Sequence, residues 1–112
     1  MIEATLVYQS PALTTGIGFG LNGPATPTVV CYEWRTFTAL STTFMTYSTR
    51  FGHIKPVTTA VQFINSNVLA SMNGLIRNGT TAGSATLIFR SEVGGSLVTI
   101  KAGSFLRYRK LT

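Results

Sequence analysis

The sequence predicts an all-β protein, and three observations carry that expectation. Thr occurs 18 times and Ser nine times, beside many Val, Ile, Phe and Tyr residues that suit a pleated, half-buried surface. The 11 glycines fall mostly between these runs, as turn punctuation. No window sets apolar residues at i, i+3, i+4 and i+7 between good caps, so no amphipathic helix is expected.

The strands follow from runs bounded by turn signals. Ala4 to Tyr8 is the first, closed by Gln9-Ser10-Pro11. Ile17 to Leu21 is the second, closed by Asn22-Gly23-Pro24. Thr28 to Thr38 is the third and longest. Alternation puts Val30, Tyr32, Trp34 and Thr36 on one side of it, and Val29, Cys31, Glu33 and Arg35 on the other. Tyr32 and Trp34 therefore face inward and Glu33 and Arg35 outward, while Cys31 fits either layer. Thr43 to Phe51 is the fourth, and Met45, Tyr47, Thr49 and Phe51 are its apolar set against Phe44, Thr46, Ser48 and Arg50. Residues 52 to 67 hold Val57, Val61, Phe63 and Ile64, and read as a short strand or a packed loop.

Val68 to Arg77 follows, closed by the turn-rich run from Asn78 to Gly83. Ser84 to Glu92 alternates Ala85, Leu87, Phe89 and Ser91 with Thr86, Ile88 and Arg90. Gly94-Gly95 then reads as a tight hairpin turn into Leu97 to Lys101. Ser104 to Leu111 closes the series, with Phe105, Arg107 and Arg109 opposing Leu106, Tyr108 and Lys110. Pro11, Pro24, Pro27 and Pro56 fall in loops or at strand starts, where no ladder bond is lost. About eight strands with short connections make one domain over residues 1–112, and two layers or a closed barrel would hide them.

Size and composition narrow the classes further. The chain has 112 residues, 45% of them hydrophobic and only 11% charged, which excludes a disordered chain and allows one real core. No apolar run approaches the roughly 18 residues of a membrane helix, so no membrane partner is expected. The start MIEATLVYQS lacks a basic region followed by an apolar one, so no secretory signal is expected. The single cysteine excludes an internal disulfide framework and a multi-cysteine zinc site.

Nine Lys and Arg face only Glu3, Glu33 and Glu92, with no Asp, for a net charge of +6. A basic balance raises nucleic-acid binding as a reading. The basic residues are spread along the chain, and only Arg107 to Lys110 cluster. Alternation sets Tyr108 on the face opposite Arg107 and Arg109, against base stacking beside those arginines. A solvated strand face, or a basic surface docking an acidic protein, is the better expectation.

Catalytic parts are few: one His, one Cys, three Glu and no Asp. The chain is therefore expected not to be an enzyme and to use no cofactor and no metal. Gly16-Ile17-Gly18-Phe19-Gly20 has the glycines of a phosphate loop, but a turn rather than a helix follows, so it reads as a closely packed strand. His53 has no second histidine for a metal site within one subunit and reads as a loop residue. Cys31 reads as a small buried hydrophobe. Asn78-Gly79-Thr80 has the form of a glycosylation sequon and reads as a turn. Glu92 is expected to pair with an Arg or Lys.

In the C-terminal third, Met72-Asn73-Gly74-Leu75-Ile76, the run Gly83-Ser84-Ala85-Thr86-Leu87-Ile88-Phe89, Ser91-Glu92-Val93 and the run from Val98-Thr99-Ile100-Lys101 through Ala102-Gly103-Ser104-Phe105-Leu106 form a pattern. Gly18-Phe19-Gly20-Leu21-Asn22-Gly23 and Tyr32-Glu33-Trp34-Arg35 join it more loosely. It resembles a domain of tailed-bacteriophage virion proteins. The resemblance implies a jelly-roll-like β-sandwich, similar to the trimeric heads of the tumour-necrosis-factor and complement types, used as fibre knobs, tail-tip modules or capsid decorations. The first strand starts too early for a shaft, which favours a capsid decoration protein in the virion. Its expected partners are itself, as a homotrimer, and the major capsid protein or another virion protein. A tail or fibre tip module would instead use the loops 9–16, 22–28 and 78–83 against a host receptor. Seven Phe, four Tyr and one Trp exceed what one sandwich buries, and the surplus would fill an interface. Tyr47, Phe51, Phe105, Arg107, Tyr108 and Arg109 are the candidates for it.

Overall fold

The computed structural model describes residues 1–38, 43–56 and 58–110. They form a two-layered, all-β sandwich of antiparallel strands. The strands are β1 (Ile2–Gln9), β2 (Ile17–Asn22), β3 (Val29–Phe37), β4 (Thr43–Ser48), β5 (Lys55–Pro56), β6 (Val68–Arg77), β7 (Thr86–Ser91), β8 (Thr99–Ile100) and β9 (Phe105–Tyr108). The larger sheet runs β4-β3-β6-β1, and β8 and β9 share the far edge of β1. The smaller sheet is β5-β2-β7. Pairing β1 with β8, β2 with β7 and β3 with β6 is nested, as in a long hairpin rolled into two layers.

Alternation decides the core. Ile2, Ala4, Leu6 and Tyr8 of β1, Val30, Tyr32 and Trp34 of β3, and Ala70 and Met72 of β6 point at the smaller sheet. Ile17, Phe19 and Leu21 of β2 point back. Phe19 stacks on Trp34 with ring centroids 4.2 Å apart, and Tyr8 meets Phe19 edge-on at 6.0 Å. Each such side chain, fully buried, contributes about 1.5–3 kcal/mol.

Hydroxyl groups close the ends. The Ser10 hydroxyl donates to Thr15 O at 2.7 Å, and the Thr36 hydroxyl to Leu69 O at 2.8 Å. Thr58 Oγ1 accepts from Ile17 N at 3.2 Å, and Thr15 Oγ1 bonds Ser96 Oγ at 2.7 Å. All four residues are buried, so much of the Thr and Ser content satisfies internal polar groups.

Several sequence expectations change in detail. The fourth strand ends at Ser48 rather than Phe51, because the Ser48 hydroxyl bonds both Arg50 N and Arg50 O and turns the chain. Its apolar residues Met45 and Tyr47 face solvent, since they pair with Arg35 and Glu33. Cys31 is exposed on that same face rather than buried. Gly94-Gly95 makes a turn, with Gly95 at φ +84°, but no hairpin: β7 joins the smaller sheet and β8 the larger, so this segment crosses between layers. The stretch 52–67 carries one short strand, β5, and Val57 lies outside the described residues, as does Leu111 at the end of the last expected strand. Glu92 forms no ion pair among the described residues; its main-chain N–H donates to Gly16 O at 3.0 Å.

Candidate functional site: an open sheet face and an uncovered groove

The outer face of the larger sheet is built by the residues that alternation turns away from the core. Across it, Phe105, Thr5, Ser71, Arg35 and Met45 form one row, and Arg107, Glu3, Asn73, Glu33 and Tyr47 the next. Leu75 lies beside Cys31 below them, and Leu69 and Phe37 are on the rows above. Phe37, Met45, Tyr47, Leu69, Leu75 and Phe105 are all exposed. Five strands about 4.8 Å apart and some eight residues long at about 3.3 Å each give a face of about 600 Å². That approaches the roughly 800 Å² each partner contributes to a standard interface.

The charges in the middle of this face are paired. Arg107 Nη2 lies 3.0 Å from Glu3 Oε2, and Arg35 Nη2 3.7 Å from Glu33 Oε1. Arg107 also lies over the Phe105 ring at 5.9 Å. Two of the chain's three acids are thus spent here, leaving Glu92 alone on the rest of a strongly basic molecule. The face is mixed: six large apolar side chains stand exposed among polar ones, its central charges are paired, and Arg77 adds a positive charge at its end.

A second feature lies at one side of the sandwich. Six strands in one layer overhang three in the other. Below the overhang, Met1, Ile2, Ile76, Ala85, Leu106 and Tyr108 line an open groove, whose charged side chains are Arg77, Arg109 and Lys110.

The six interface candidates divide between these places. Tyr47, Phe105 and Arg107 lie on the outer face. Tyr108 and Arg109 line the groove, and Arg109 also exchanges main-chain hydrogen bonds with Met1, each 2.7 Å long. Phe51 stands apart from both, partly buried against the core with its ring over Gly23. Leu69, Leu75 and Phe37 escaped sequence reasoning, although each occupies the outward parity of its strand, which the Glu33–Arg35 alternation already marks on β3.

Of the three loops, 22–28 and 78–83 meet at one end, where Thr28 N donates to Arg77 O at 2.8 Å and Gly79 approaches Thr26 O. Loop 9–16 is at the other end of β2, beside Ser96. Among the described residues, no three His, Cys, Asp or Glu side chains stand together as a metal site. Nor does any helix among them have the length and apolarity to cross a membrane. No family model, no curated protein and no solved structure matches this chain.

Proposed function

We propose that this protein is a structural docking module of a bacteriophage particle, a capsid decoration protein that lays its larger sheet against the head. The open sheet face, with six large apolar side chains exposed among paired central charges, is the observation that supports this reading. Large apolar side chains exposed together on one sheet face suit a contact with another protein. The surrounding positive charge would draw the module to an acidic lattice, and closure as a homotrimer would cover free strand edges. Repeated weak contacts over the lattice would add up to avidity.

The test is sedimentation of the purified protein, alone and with expanded heads of the phage that encodes it. The reading expects a trimer that co-sediments with heads and raises their thermal tolerance. A protein that stays monomeric at high concentration and leaves the heads unoccupied sinks it. Adsorption to host cells, competed by soluble protein, would replace it with the tail-tip reading.

A further inference from the structure

In a two-layered sandwich every inward-facing position has a strand of the other layer over it. Here three large residues break that rule on one side. Phe89 pairs with Phe19, Leu106 with Ala4, and Tyr108 with Ile2, so all three face inward with fully buried partners. Yet they are 44%, 40% and 83% exposed.

The strand edge beside them is also unused. Glu92 N donates to Gly16 O, which fixes the bonded pairs of β7 and β2 as Arg90–Gly18, Ile88–Gly20 and Thr86–Asn22. The main-chain groups of Leu87 and Phe89 therefore point away from β2, and no other described strand pairs with β7. β9 is in the same condition. Arg109 and Met1 exchange main-chain bonds, so the N–H and C=O of Leu106 point outward from the sheet.

We infer that the smaller sheet lacks a fourth strand, and that an extended segment of a partner protein supplies it. The segment would run along β7, bond the free groups of Leu87 and Phe89, and cover Leu106 and Tyr108. Six residues of β7 set a slot of about 20 Å. Its side chains would alternate, with apolar ones directed at Phe89 and Leu106 and polar ones at solvent. At the start of β7, Gly83, Ser84 and Ala85 share the groove with Leu106, Tyr108, Arg77, Arg109 and Lys110 and with no acidic side chain, which selects a segment with an acidic flank at that end. This inference stands independently of the particle reading.

The probe is a synthetic peptide alternating Val and Thr over six positions, flanked by Asp and Glu, titrated against the whole protein by fluorescence anisotropy. Three controls carry Lys flanks, a scrambled order, or the same residues with Pro at alternate positions. The acidic alternating peptide is expected to bind, with every control weaker by roughly tenfold or more, as loss of an anchoring contact produces. Its binding should protect the Leu87 and Phe89 amides from hydrogen exchange. Tyr108→Ala, at an exposed position, should weaken binding without unfolding the protein. Arg109→Glu with Lys110→Glu should shift preference toward the Lys-flanked peptide. Equal binding of the scrambled peptide, or binding without protection at those two amides, overturns the inference. So does protection of the same amides in the protein alone that grows with its concentration, since a second copy would then fill the slot. Preferential binding of single-stranded oligothymidylate, falling steeply with salt, also overturns it.

Discussion

At the residue scale, Tyr8 joins core packing to a titratable group. Burial pushes its phenol above the ordinary value of 10.0, against the opposing hydrogen bonds of the Thr36 and Thr58 side chains. The unfolded chain therefore loses this proton at lower pH than the folded one. Below pH 10 both states keep it and the contribution to stability is complete. As pH rises through and beyond 10, the unfolded state gains by ionising first, and stability falls. Chemical denaturation at a series of pH values should show this decline, and Tyr8→Phe should flatten it. At neutral pH that variant should lose about 1 kcal/mol or less, because the Thr36 hydrogen bond is long at 3.4 Å. Trp34 shows the opposite economy: its Nε1 is buried with no partner among the described atoms, and the flat stack on Phe19 offsets part of that cost.

At the element scale, β2 depends on having no side chains where the chain crosses it closely. A Cβ on Gly20 would stand 2.7 Å from His53 O, and one on Gly16 2.0 Å from Thr58 O. Both obstacles are backbone, so they cannot swing aside. This is the physical content of Gly16 and Gly20, which let the main chain at Thr58 and His53 lie close against them. Gly20→Ala is expected to cost about 1–3 kcal/mol in urea denaturation. Gly94→Ala, where an added Cβ meets nothing within 4 Å, should stay within about 0.5 kcal/mol of the parent. Equal effects at the two sites would show that close approach is not what Gly20 serves.

At the scale of the whole molecule, unequal layers explain an excess of surface. The accessible area is 6683 Å², against about 6,000 Å² for a monomer of this mass. The Cα radius of gyration is 14.3 Å, against about 13 Å for a compact chain of this length. The surplus is what an overhanging sheet with one open face would leave. Leu69 and Leu75 point outward on that face, so Leu69→Glu with Leu75→Glu should change the unfolding free energy by only about 0.5 kcal/mol per site. The same double variant should abolish whatever self-association or particle binding the parent shows in sedimentation. A variant that unfolds instead would mean these side chains serve the core after all.

The all-β class, the order of the main strands and the inward parity of Tyr32 and Trp34 were legible in the sequence. Period-two alternation and turn residues act locally, and Glu33 and Arg35 announce the solvent side of β3 by their charge. A few residues that the structure places on the outer face were singled out too, Tyr47, Phe105 and Arg107. Its other apolar side chains were not, because Met45, Leu69 and Leu75 look like core residues until pairing with Arg35, Val7 and Cys31 assigns their side. The sheet to which each strand belongs was hidden for the same reason. Gly94-Gly95 permits a turn, but only the long-range partners of β7 and β8 decide that it spans two layers and leaves one edge of β7 free. Local chemistry fixes which way a side chain alternates; the neighbour across the sheet fixes whether that side is covered.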